Sequence, residues 1–319
     1  MKKRILKQLY ATYLLFWLGC TSRKPTGTNI YEQDWDVLVL LDTCRVDAMR
    51  EVADEYDYIE DVDEIWSVGS TSKEWVEQTF TKNYAADIAD TAYITGNPFS
   101  NTLLDERDRM EYGSTHGTWI EKTEWVSQLI KDSVVDGENL GHLEPLWGVT
   151  GPDAPFQKSQ HPKALTEHTI QASRNNDFER VVSHYMQPHS PYFSSSTEYD
   201  ELAEYEKHPF RALKQGGSEA SEKVWNAYLD NLRYALDSIE VLIENVDGKV
   251  VLTADHGELL GDHRMYYHMP GNPHPKLKKV PWVEVEAADR QTLDPDVTLT
   301  GTEGAQEASE EQLKALGYV

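Results

Sequence analysis

The sequence predicts an α/β domain built on a mixed, mostly parallel sheet with helices on both faces. Three observations predict it. Apolar runs of strand length alternate with longer amphipathic stretches along the chain. Two of those runs end in acidic residues, as buried parallel strands do when they deliver side chains to a crevice at their carboxyl ends. The chain has 319 residues, enough for one large domain of this class.

The first strand is expected at 36–41, where V-L-V-L-L is apolar throughout and ends at Asp42. Further strands are expected at 91–95, 180–186, 249–253 and 280–285, each a short apolar run bounded by polar or turn residues. Helical spacing predicts helices at 45–55, 73–81, 118–133, 163–175 and 221–245. The stretches 134–162 and 194–220 read as loops on the rim of a site, and 287–308 as an acidic surface excursion before a last helix. The expected division is 1–28, an N-terminal basic and apolar helix or signal-like segment with its linker, and 29–319, one catalytic-type domain.

The most informative stretch is V-V-L-T-A-D-H-G-E-L-L-G-D-H at 250–263. An apolar run delivers Asp255 and His256 side by side at its tip, and Gly257 permits a sharp turn just after them. A carboxylate beside an imidazole suits a hard or borderline divalent cation. Two strands with acidic tips, Asp42 and Asp255, can lie side by side in such a sheet and share one ion.

Here the residues match a family. D-T-C-R-V-D at 42–47 resembles the opening signature of sulfatase-like proteins, and T-A-D-H-G-E-x-x-G-D-H resembles their late metal motif. In this order the two are similar to the sulfatase branch of the alkaline phosphatase superfamily. Weaker matches extend the resemblance: V-V-S-H-Y-M-Q-P-H-S-P-Y at 181–192, the helix-like Y-L-D-N-L-R-Y-A-L-D at 228–237, V-P-W at 280–282, and L-K-A-L-G-Y-V at 313–319.

The resemblance implies a metal-dependent sulfuric- or phosphoric-ester hydrolase, or a transferase of phosphoryl groups to alcohols on glycan or lipid-linked substrates. A non-catalytic relative with the same fold is the remaining reading. The implied cofactor is one divalent metal ion (Mn, Mg, Ca or Zn) held by Asp42, Asp255 and His256, with His256 favouring Mn or Zn. The second acid of the family's D-D pair is Thr43 here, and Gln187 stands where another acid is common, which favours one ion over two.

The family's nucleophile sits at a helix start, as formylglycine made from Cys in C-x-P-x-R or as Ser or Thr. The corresponding place is G-S-T-S-K-E-W at 69–75, with no Cys. Alignment on the helix start puts Thr71 at the nucleophile and Lys73 beside it, with Ser70 and Ser72 as alternatives. A metal-bound hydroxyl can attack because the cation lowers its pKa. Thr71 is equally an N-cap, with Glu74 completing a capping box. The resemblance gives His189 a role at the substrate anion or leaving group. His268 and Lys276 lie in the loop before V-P-W, where the family places a cation against the substrate.

Composition excludes some partners. With 55 acidic residues against 30 Lys and Arg, the formal net charge is −25. Such an excess opposes binding to nucleic acid or to an anionic membrane surface and predicts a halophilic, haloarchaeal host. Cys20 and Cys44 predict no structural disulfide. Lys2, Lys3, Arg4 and Lys7 precede an apolar run at 9–20, which fits a secretion signal or a basic amphipathic helix lying on the domain or on a membrane. The helix reading places the protein in the cytoplasm or at a membrane, and the signal reading exports it. The partner that the family resemblance implies is an anionic ester, glycan or lipid-linked.

Overall fold

The computed structural model describes residues 2–21, 24–104, 133–146, 161–175, 177–194 and 201–302. Its seven-stranded sheet has the order β2-β7-β6-β1-β5-β3-β4. The strands are β1 (Val37–Leu41), β2 (Asp63–Trp66), β3 (Thr91–Thr95), β4 (His142–Pro145), β5 (Arg180–Tyr185), β6 (Gly248–Thr253) and β7 (Lys279–Ala287). Pairs β6–β1, β1–β5, β5–β3 and β3–β4 are parallel, whereas β7 runs antiparallel to β6 and β2 antiparallel to β7. The expected mixed, mostly parallel sheet is therefore present. All five expected strands form within two residues of their expected ends.

Strands β2 and β4 were not expected. Both are four residues long, and β2 reads D-E-I-W with little of its surface buried. Neither carries the apolar run that marks a strand.

Alternation along β1 explains the helices on both faces. Val37, Val39 and Leu41 enter one core with Ile170 and with Tyr228, Leu232 and Ile239 of the long helix Gly217–Ile243. Leu38 and Leu40 enter the opposite core with Trp75, Val76 and Phe80. A strand buried on both faces must be apolar at every position, as β1 is. Helices Val46–Val52, Ser72–Thr79 and Pro162–Arg174 match the expected ones closely. The expected helix at 118–133 lies outside the described residues apart from Ser133, as do 303–319 with the L-K-A-L-G-Y-V ending. The described part of the acidic excursion after β7 forms no regular element over 288–300 and is tied by Arg174 to Asp289 at 2.8 Å and by Glu144 to the Gly301 amide at 2.7 Å.

At the N-terminus, Lys2–Thr21 forms one 20-residue helix. Tyr10 and Tyr13 donate hydrogen bonds to the carbonyls of Pro270 (2.6 Å) and Gly271 (2.5 Å), and Trp17 Nε1 donates to Glu74 Oε1 at 2.6 Å. No helix among the described residues is long and apolar enough to cross a membrane.

Candidate active site

Register builds the site. Leu40 pairs with Thr253 of β6, so Asp42 and Asp255, each two residues further on, come level at the strand tips. Leu40 also pairs with His184 of β5, placing that imidazole one row below. Asp42, His184 and Asp255 present ligand atoms all within 4.8 Å of one another, and all three residues are fully buried.

The turn after β1 fixes the pair. Thr43 has φ 66°, a left-handed conformation unusual for a β-branched residue. It directs the Thr43 amide to Asp255 Oδ1 at 3.2 Å. Tyr228 braces the turn by donating to the Thr43 carbonyl (2.7 Å) while accepting from the Arg45 amide (3.0 Å).

Gly257 has a different role from the expected sharp turn. A Cβ there would lie 2.0 Å from the Lys276 carbonyl oxygen, so glycine is required by the close approach of the 276–277 backbone. The Gly257 amide donates to Leu277 O at 2.8 Å in that contact.

His256 is oriented as a ligand would be. Its Nδ1 lies 2.8 Å from the Gly257 carbonyl and so carries the proton. Nε2 then faces Asp255 Oδ2 at 3.4 Å, Asp42 Oδ1 at 3.8 Å and Ser72 Oγ at 3.3 Å. Burial lowers the His256 pKa to about 4, which keeps the ring neutral. Burial alone would raise the Asp255 pKa, but His256 and then His184 outweigh it and hold the carboxyl below its ordinary range.

This donor set fits a divalent cation. Asp255 Oδ2 and His184 Nε2 are buried and make no hydrogen bond among the described residues. Buried polar atoms in that state need a partner, and two carboxylates beside a neutral imidazole suit Mg, Ca, Mn or Zn.

The helix start brings Ser72 to this cluster. Ser72 Oγ lies 3.4 Å from Asp42 Oδ2 and 3.3 Å from His256 Nε2. The Thr71 hydroxyl instead accepts from the Glu74 amide at 3.2 Å as the N-cap. The expected capping box forms only in that half. Glu74 Oε2 accepts from the Ser70 amide (2.9 Å) and Ser70 Oγ (2.6 Å) rather than reaching back to Thr71. Lys73 is buried at the same helix start.

Opposite the strand tips, His189, Glu258 and His268 form a second group with polar atoms within 4.8 Å. Glu258 Oε2 lies 3.0 Å from His268 Nδ1, and the His268 ring is 4.5 Å from that of His256 and 5.5 Å from that of His189. Burial would lower the His268 pKa, but the Glu258 carboxylate outweighs it and raises it. At His189 burial, reinforced by His268, outweighs the pull of Glu258 and lowers the pKa to about 4. Lys276 Nζ pairs with Asp47.

Three side chains at the site carried no sequence expectation. His184 is a polar residue inside a buried strand, a signal that sequence alone gives. Asn97 donates to Asp42 Oδ2 at 2.8 Å from the loop after β3, and nothing in T-G-N-P marks it. Glu258 lies in the D-H-G-E motif, but its pairing with His268 needs the fold.

No protein-family model matches the chain, and no curated protein matches it. Among solved structures it is similar to the soluble domain of lipooligosaccharide phosphoethanolamine transferase A from Neisseria meningitidis (14% identity, TM-score 0.48, 79% of this chain and 75% of that one). It is also similar to the C-terminal periplasmic domain of a phosphoethanolamine transferase from Campylobacter jejuni (16%, TM-score 0.45, 79% of each chain). A third similar structure is a putative sulfatase from Bacteroides thetaiotaomicron (10%, TM-score 0.43, 89% of this chain and 71% of that one). Likenesses this distant assign no role to any residue here.

Proposed function

We propose that this protein is a metal-dependent enzyme that transfers or hydrolyses a phosphoric or sulfuric ester, with Ser72 as the attacking hydroxyl. The observation that carries the reading is Ser72 Oγ standing at a helix start between Asp42 and His256, beside Asp255. Asp42, Asp255 and His256 would hold the divalent ion, with His184 supporting Asp255. When bound, such an ion lowers a hydroxyl's pKa and neutralises anionic ester oxygens.

The chain's own residues supply the rest. The Ser72–Thr79 helix start favours an anion. Ser72 Oγ forms a bond to phosphorus or sulfur as the ester's bond to its leaving oxygen breaks, and the leaving oxygen gains a proton. His189 and His268 face that side and orient it. Water or an acceptor alcohol then takes the group from Ser72, which recovers its proton. Thr71 contributes the cap that fixes the helix start. The substrate class is an anionic ester with a glycan or lipid-linked head group.

The test incubates the metal-loaded protein with aryl phosphate, bis-aryl phosphate and aryl sulfate and follows intact mass. Metal-dependent aryl alcohol release with an adduct mapped to Ser72 is expected, and the adduct's mass names the group. Absence of both, with metal bound and the fold intact, would sink the reading in favour of a non-catalytic relative.

A further inference from the structure

The N-terminal helix has two apolar faces, and the domain uses only one. Tyr10, Leu14, Trp17 and Leu18 face the domain: Leu14 and Leu18 are 1% exposed and Trp17 reaches Glu74. Ile5, Leu6, Leu9 and Phe16 lie on another face and are 53%, 64%, 61% and 72% exposed. Beside the helix, the loop held by Tyr10 and Tyr13 carries Met265, Tyr267 and Met269, also exposed. Most of the exposed large apolar side chains among the described residues thus fall in two adjoining segments, one of which contains His268 of the candidate site.

Charge is divided along the same line. Lys2, Lys3, Arg4, Lys7, Arg23 and Lys24 precede the first acidic residue, Glu32, and every one of the 55 acidic residues lies from there onward. Lys214 adds a cation at the loop, donating to the Tyr267 hydroxyl at 2.9 Å. An apolar stripe on a helix that also carries Lys3, Arg4 and Lys7, on a molecule otherwise strongly anionic, is complementary to a surface that is apolar below and anionic above.

We infer that this face docks on an anionic lipid bilayer, the helix lying in the headgroup plane and the 265–269 loop beside it. The helix does not cross the bilayer. The domain's remaining negative charge is repelled by the same surface, which leaves one orientation, with the opening of the site beside the headgroups. The inference goes beyond the ester-transfer reading and does not depend on it.

Vesicle flotation of the full chain tests it, using phosphatidylcholine vesicles with and without about one-third phosphatidylglycerol. Binding to the anionic vesicles and little to the neutral ones is expected, with the difference shrinking as salt rises. Leu9→Glu/Phe16→Glu, which touches nothing in the site, should weaken partition about a hundredfold. Its metal binding and thermal stability should stay unchanged. Lys3→Glu/Lys7→Glu should lose about tenfold on anionic vesicles. No vesicle binding by the wild type, or equal binding by Leu9→Glu/Phe16→Glu, overturns the proposal. So does a wild-type dimer in light scattering that this variant converts to monomer, which would make a second copy the occupant.

Discussion

The strand-tip group of Asp42, His184 and Asp255 and the loop group of His189, Glu258 and His268 meet at His256, whose ring is 4.5 Å from His268. They are built differently. The first is delivered by three neighbouring parallel strands, whose register brings Asp42 and Asp255 level just past the tips of β1 and β6 and sets His184 one row below. The second comes from two segments after β5 and β6, and its geometry depends on a carboxylate–imidazole pair. The strand tips are suited to a fixed ion, and the loops to a substrate that must enter and leave.

The largest effect that would test this division is Asp255→Asn. It should weaken divalent-ion binding about a hundredfold or more by calorimetry and abolish ester turnover, because it removes a ligand and leaves His184 and His256 facing a neutral amide. Glu258→Gln should cost about tenfold to a hundredfold in turnover while ion affinity changes less than tenfold. Equal losses of ion affinity in both variants would erase the distinction. His184→Phe should weaken ion binding about tenfold with a smaller effect on KM, since it supports Asp255 without facing the substrate.

Smaller effects report on the frame. Tyr228→Phe removes the brace on the left-handed Thr43 turn and should lower stability by about 1–2 kcal/mol in denaturant titration. Asp47 sets part of the acid limit. Burial opposes its ionisation, but Arg45 and then Lys276 outweigh that and lower its pKa from 3.8 to about 2. A depressed carboxyl stabilises the fold fully above its unfolded pKa, and that contribution is lost as pH falls from about 4 towards 2. The Asp47 side chain is 39% exposed, so solvent screening reduces the contribution to about 1 kcal/mol. Asp47→Asn should show that loss near neutral pH and a flatter stability profile between pH 4 and 2.

The sequence revealed what depends on local pattern. Apolar strands β1 and β6 with acidic tips stand out because a doubly covered strand has no polar positions until it leaves the sheet. Asp42, Asp255 and His256 could be named for that reason. The hydroxyl at the helix start could not be singled out, because G-S-T-S offers three in succession and helix phase decides which one faces the strand tips. Alignment on the helix start pointed to Thr71, which is also the cap, and in the structure Thr71 caps the helix while Ser72 lies near Asp42 and His256. His184 stood out as a polar residue in an apolar strand, but its partner Asp255 is 71 residues away in sequence, and Asn97 meets Asp42 across 55, contacts no local pattern encodes. The pairing of Lys276 with Asp47 was equally invisible, since it depends on the 276–277 backbone pressing against Gly257.

The central claim is that the Ser72 hydroxyl serves the ion-binding strand tips while Thr71 holds the helix start. Metal-dependent release of aryl alcohol by Ser72→Ala and Thr71→Val, each with its ion affinity and thermal stability, tests it most directly. Ser72→Ala should lose about a thousandfold in turnover with little change in stability. Thr71→Val should lose about 1 kcal/mol of stability and keep most of its turnover. Full turnover in Ser72→Ala, or its abolition in a folded, metal-binding Thr71→Val, would contradict the account.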